Sequence, residues 1–201
     1  MKILSYENFI DPFLKDVREF VLNFSEIKPR ERVLDIGCGT GDQAIYFTKK
    51  GAVVAGIDIN QEMISCALKK KEKEGLNVYF QRGDARNLPF LDPVFDVAVI
   101  SLVLHEIENK DRDKVISEMK RVVKKGERLI FVDFNCPLPK SMISFSVKLV
   151  EFFAGRNHWH NFKNYLKEGG IVKILEKNKL KPERVECLKS GLLVAVRAKN
   201  L

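Results

Sequence analysis

The stretch Val33-Leu34-Asp35-Ile36-Gly37-Cys38-Gly39-Thr40-Gly41 constrains this chain more than any other. It reads as a short buried strand that runs into three glycines spaced two apart and then into a helix. Glycine has no Cβ and tolerates positive φ, so such a turn lets backbone approach a ligand closely. The turn also aims the free N–H groups of a helix N-terminus at whatever binds there. Asp35 narrows the choice of ligand. A carboxylate two residues before the first glycine would repel a pyrophosphate, and G-x-G-x-G differs from the G-x-G-x-x-G of dinucleotide sites. A ligand with a cationic, phosphate-free end suits the turn better.

The residues around this turn alternate between strand and helix signals. Phe9, Phe13, Val17, Phe20, Val21 and Phe24 recur at spacings of three and four, which predicts an amphipathic helix over 7–24. Strands are expected at 32–36, 52–57, 78–81, 95–101 and 128–134, separated by helices over 42–50, 61–74 and 110–125. Asn60 is a candidate N-cap for the second of these helices, and Gly51, Gly75 and Gly126 are candidate stops. Strand–helix repetition implies a parallel sheet with right-handed crossovers. Residues 135–160 interrupt the pattern with Pro137, Pro139 and the apolar run Met142–Phe153, and helices follow at about 161–168 and 171–178. Two last strands, 184–188 and 192–198, flank Ser190-Gly191 and read as a hairpin, which makes the final strand antiparallel.

At 201 residues the chain is expected to fold as one domain, with 1–28 as an N-terminal helical segment and 135–178 as a helical insertion and cap region. Nothing approaches the ~18 uninterrupted apolar residues of a membrane span. The opening residues are too short in apolar run and too quickly acidic for a secretory signal. Cys38, Cys66, Cys136 and Cys187 are scattered without a C-x-x-C pair, which fits reduced thiols in a cytoplasmic protein and argues against a zinc site. The net charge of +8 is localised: residues 1–134 are balanced, whereas 135–201 hold 13 Lys and Arg against 5 Asp and Glu. That third is either a solvated basic surface or a face for nucleic acid, anionic lipid or an acidic small molecule.

The glycine turn, Asp58 closing the second strand, Gly83-Asp84-Ala85 after the third and Phe95-Asp96-Val97 opening the fourth resemble the motifs of class I S-adenosylmethionine-dependent methyltransferases. Leu88-Pro89-Phe90 and Ser101-Leu102-Val103-Leu104-His105 are most similar to the ubiquinone/menaquinone-biosynthesis-like subgroup, which acts on small molecules. The resemblance runs from about residue 30 to the C-terminus. It implies a Rossmann-like α/β fold: a seven-stranded, mostly parallel sheet with helices on both faces and an antiparallel last strand. It also implies S-adenosylmethionine as methyl donor, with S-adenosylhomocysteine as product. Asp35 would attract the sulfonium and ammonium end, and Gly37, Cys38 and Gly39 would lie against the donor. Asp58 would accept from the ribose hydroxyls, Ile59 would cover adenine, and Asp84 with the Ala85 N–H would read its edge. Plain alternatives exist: a helix-start acid for Asp58 and an Asx turn for Asp84.

Ser101 and Leu102 end the fourth strand, where ligands bind in open α/β sheets, so donor and acceptor should meet between Ser101 and His105. His105 is the first candidate for a general base, with His158 and His160 after it; Glu106 is a further acceptor-side candidate. The His158-Trp159-His160 group lacks partners at metal-ligand spacing, so no metal is expected. The apolar run 142–153 is read as a lid over an apolar acceptor, as an oligomer contact that would allow a homodimer, or as an interfacial membrane helix. Tyr6 is a candidate contact from the leading helix. The favoured acceptor is a small, partly apolar molecule. The alternatives are an RNA methyltransferase using the basic third and a non-catalytic S-adenosylmethionine-binding protein.

Overall fold

The computed structural model of the protein describes residues 11–91 and 93–201, with side chains from Leu14 onward. Tyr6, Phe9 and the Phe13 side chain therefore lie outside the described residues. Helix α1 (Asp11–Phe24) buries Val17, Val21 and Phe24 at helical spacing. There follow β1 (Arg32–Ile36), α2 (Asp42–Lys49), β2 (Val53–Asp58), α3 (Gln61–Lys73), β3 (Tyr79–Arg82), β4 (Phe95–Ser101), α4 (Asn109–Val122) and β5 (Val123–Phe134). Three helices then intervene, α5 (Met142–Phe153), α6 (Arg156–Glu168) and α7 (Gly170–Lys177), before β6 (Pro182–Leu188) and β7 (Leu193–Lys199).

The seven strands form one sheet in the order β3-β2-β1-β4-β5-β7-β6. Strands β1 to β5 run parallel, and β7 is antiparallel to both its neighbours. The hairpin turns through Lys189, Ser190 and Gly191, all at positive φ. In the centre, β1 and β4 are apolar on both faces because helices cover both sides. From β1 the chain first winds outward to β2 and β3, then crosses back to β4 and β5. Reversal of winding between β1 and β4 opens a crevice at their carboxyl ends, and that crevice positions the site.

Two boundaries differ from the sequence expectation. Gly126 was expected to stop α4, but the helix ends at Val122 and Val123 already pairs with Phe95. The register then shifts before Val97 meets Arg128, and Gly126, at φ +79°, donates its N–H to Asn200 O at 2.7 Å. Its left-handed conformation thus serves a bulge. The other difference is the start of α6, at Arg156 rather than near 161, which places His158 and His160 on a helix.

Arg112 is fully buried, and its charge is satisfied on three sides. Its guanidinium donates to Leu104 O at 3.0 Å, Asn161 O at 2.9 Å and Glu168 Oε2 at 2.6 Å, and it lies 5.4 Å from the Tyr165 ring centroid. Those bonds fasten the loop after β4 to α6. Among the described residues no helix is long and apolar enough to cross a membrane.

Candidate functional site

The crevice is a cleft of about 650 Å3, and all ten residues expected around the methyl donor line it: Asp35, Gly37, Cys38, Gly39, Asp58, Ile59, Asp84, Ala85, Ser101 and Leu102. The glycine turn is anchored to β2, because the Gly37 and Cys38 N–H groups both donate to Ile57 O, at 2.7 and 3.0 Å. Two of its glycines serve different ends. A Cβ on Gly37 would stand 2.3 Å from Val103 Cγ2, so that position is small for packing. A Cβ on Gly39, at φ +53°, would meet no protein atom within 4 Å and would project into the cleft. Gly39 leaves backbone bare toward a ligand.

Asp58 ends β2 and holds this turn in place. Its Oδ2 accepts from the Gly39 N–H and its Oδ1 from the Asn60 N–H, both at 2.8 Å, and each oxygen keeps a further acceptor site. Asp35 is buried, and its Oδ2 has no hydrogen-bond partner. Burial first, and the nearby Asp58 carboxylate second, push its pKa up to about 7 against the opposing charge of Arg18. A cation brought to this carboxylate would relieve both causes. A buried acid short of a partner, beside an open stretch of backbone, fits the positively charged end of S-adenosylmethionine.

The Asp84 end of the cleft is less simple. Arg86 clasps Asp84 through Nε at 2.9 Å and Nη2 at 2.7 Å, and reaches on to Asp111 at 3.0 Å. The guanidinium holds the Asp84 carboxyl below the usual range. The Arg86 N–H also donates to Asp84 Oδ1 at 2.9 Å, so the Asx turn considered as an alternative is present. Ile59 is large, apolar and 59% exposed, a surface that a flat ring can cover. Cys38 is buried, and burial first, with Asp35 and Asp58, raises its thiol pKa far above normal; the residue is wall. Leu102 takes φ +57° immediately after β4, an uncommon conformation for a branched side chain.

The other end of the cleft is lined by Val103, Glu106, Ile107, Ala154, Asn157, His158 and Asn161. Behind Glu106 lies His105, 3% exposed and packed edge-on to Phe134, Phe162 and Tyr165. Its Nδ1–H donates to Asp133 Oδ1 at 2.6 Å. Burial lowers the His105 pKa, but Asp133, Glu106 and Glu151 together outweigh it and leave the imidazole raised, to about 9. His105 Nε2 stands 3.9 Å from Glu106 Oε1 and 3.8 Å from Glu151 Oε1. His158 completes the group, with Nδ1 3.6 Å from Glu151 Oε2 and Nε2 4.0 Å from Glu106 Oε2.

Burial raises the Glu106 pKa, opposed by His105 and His158, although 46% of the side chain faces the open cleft. Glu151 raises that of His158. His160 is not among the residues that line the cleft: it is exposed, bonded to Asn164 at 2.9 Å, and lines an adjoining depression that shares Glu108, Asn157 and Asn161 with the cleft. Among the described residues, no group of three or more His, Cys, Asp or Glu is arranged to hold a metal ion. Sequence reading missed Asp133 and Glu151, which come from β5 and α5. Glu151 did carry a signal, as the single acid in the twelve residues of α5.

A parallel sheet with a reversed final strand, opening its cleft over an acidic glycine turn, is the architecture of class I S-adenosylmethionine-dependent methyltransferases. Residues 33–126 match the family model described as a methyltransferase domain. A ubiquinone/menaquinone biosynthesis C-methyltransferase of Vibrio vulnificus is 36% identical over 127 residues, which cover 60% of this chain and 48% of that protein. The chain thus spans about half the length of the curated relatives it matches. Among solved structures, a SAM-dependent methyltransferase from Aquifex aeolicus matches with TM-score 0.73 and 23% identity over 100% of both chains. One from Methanosarcina mazei matches with TM-score 0.68 and 26% identity over 90% of this chain and 97% of that one.

Proposed function

We propose that the protein transfers the methyl group of S-adenosylmethionine to a small, partly apolar molecule, at a carbon that loses a proton in the exchange. One observation carries this reading: a single cleft joins the acidic glycine turn to a second set of ionisable groups headed by Glu106 and His158. The donor supplies a methyl already activated by a sulfonium. The chain's own task is to align the reactants and exclude water. Asp35 and Asp58 hold the charged and ribose parts, and Ser101 and Leu102 form the floor where donor and acceptor meet. The acceptor carbon forms its bond to the methyl as the methyl–sulfur bond breaks, and the carbon's proton then passes to a protein base.

Glu106 takes that proton. It lines the cleft, and its raised pKa brings a carboxylate closer to the operating pH, where a base works best. His158 lies beside it, with Nε2 4.0 Å from Glu106 Oε2. His105, already protonated at neutral pH through Asp133, is a positioning residue and steadies Glu106 from behind. His160, in the adjoining depression and not on the cleft wall, has no part in the transfer. The four free thiols suit a cytoplasmic setting. Incubation with methyl-labelled donor, offering phenolic and quinol-type acceptors in parallel with RNA, tests the reading. Label is expected in the organic extract. Label only in RNA overturns the acceptor assignment, and donor binding without any transfer overturns the activity.

A further inference from the structure

Helix α5 is built inside out. Its twelve residues hold seven of the thirteen large apolar side chains exposed among the described residues, including Met142 at 88%, Phe145 at 69%, Phe152 at 56% and Phe153 at 75%. The only two residues it buries are Ser144 and Glu151. At 100° per residue, Ser144 and Glu151 fall on one side, whereas Met142, Leu149 and Phe153 lie on the opposite one and Phe145 and Phe152 flank it. The apolar side does not line the cleft; Ala154, Asn157, His158 and Asn161 form that wall instead. A lid made of these aromatic groups is therefore not what the segment provides. An exposed apolar stripe this dense needs something to cover it.

The charges around the stripe distinguish the possible covers. Over residues 135–168 the exposed charged side chains are Lys140, Lys148, Arg156, Lys163 and Lys167, all cationic. The two acids of the segment are withdrawn: Glu151 is buried against the histidines, and Glu168 is bonded to Arg112. Trp159 lies between the two surfaces, 6.0 Å from Phe152 and with the Lys163 ammonium 5.3 Å from its ring. An amphipathic ring between apolar and cationic groups is the arrangement of an interfacial anchor. A second copy of this chain suits the face poorly. Twofold pairing would set five cations near their own equivalents. A footprint of about 18 Å by 10 Å for a twelve-residue helix also falls well short of the roughly 800 Å2 per partner of a stable dimer.

We propose that α5 lies in the headgroup–acyl boundary of a bilayer containing anionic lipid, with its phenylalanines and Met142 inserted and the surrounding lysines and Arg156 on the phosphates. The inference is independent of the reaction assigned above, and its test uses no methyl transfer. The full chain is sedimented with vesicles of phosphatidylcholine alone or with added phosphatidylglycerol. Binding is expected to the anionic vesicles and to weaken with salt. The double substitution Phe152→Ser/Phe153→Ser should weaken it by roughly tenfold or more. These side chains are solvent-exposed, so thermal unfolding should be little changed. Lys148→Glu/Arg156→Glu should selectively reduce binding to the anionic vesicles. Absence of binding, or binding indifferent to both lipid charge and the phenylalanines, overturns the proposal. So does light scattering that shows a dimer turned to monomer by the phenylalanine substitutions.

Discussion

The two ends of the cleft handle charge in opposite ways. At the donor end burial and then the nearby Asp58 carboxylate raise Asp35's cost of ionisation, Asp35 has an unpartnered oxygen, and Arg18 compensates only in part. At the acceptor end Asp133, Glu106 and Glu151 are interleaved with His105 and His158, so acids and imidazoles offset each other within the protein. The first arrangement is short of a cation and is completed by a ligand. The second balances acids against imidazoles within the protein, although Glu151 Oε2 and His158 Nδ1 still lack a hydrogen bond. Binding a charged donor and moving a proton make these different demands.

The sharpest way to break the comparison is at the self-compensated end. Glu106→Gln keeps the shape of the side chain and removes its basicity, so kcat should fall by about 10²–10⁴ while donor affinity is preserved. Donor titration by calorimetry alongside single-turnover rates separates the two effects. A fall in affinity matching the fall in rate would place Glu106 in donor binding and erase the division between the ends. Asp58→Ala is the counterpart. Losing a charged acceptor for ribose hydroxyls should weaken the donor by about 10–100-fold. An unchanged calorimetric titration would remove Asp58 from the site.

The same division explains what could be read from the sequence. The donor end is assembled from strand ends and the short turns that follow them, so residue type and spacing reveal it: Gly37, Gly39, Asp58 and Asp84 each stand one turn from a recognisable strand. Their bonds are partly local, as in Asp58 to Asn60 and Asp84 to Arg86. The sheet was legible for the same reason, through continuous apolar strands such as Phe95–Ser101 and the Ser190-Gly191 hairpin. The acceptor end depends on pairs distant in the chain. His105 meets Asp133 28 positions away, and the Asn161 side chain donates to Glu106 O across 55. No periodicity joins such residues. His105, His158 and His160 look alike in sequence, and only packing separates a buried imidazole, one on the cleft wall and one facing elsewhere. Helix α5 misled in a further respect, because an apolar run is ordinarily core and here the tertiary contacts take two of its four polar residues, Ser144 and Glu151, inward.

A pH effect tests whether the donor end is truly undercompensated. In the ligand-free protein Asp35 has a pKa of about 7, above the 3.8 of an unperturbed aspartate. Below pH 4 the carboxyl is protonated whether the chain is folded or not, and it contributes no slope. Between about pH 4 and 7 the unfolded chain releases this proton and the folded chain keeps it, so stability falls as pH rises, by at most about 1.4 kcal/mol per pH unit. Asp35→Asn removes that slope. Thermal unfolding of the two proteins across this window should show wild type losing ground to the variant by up to a few degrees per pH unit. Saturating donor should shrink the wild-type slope, because a cation beside Asp35 lowers its folded pKa and binding then expels the proton. Parallel pH profiles for the two proteins, with and without donor, would mean that Asp35 is compensated from within, as the acceptor end is.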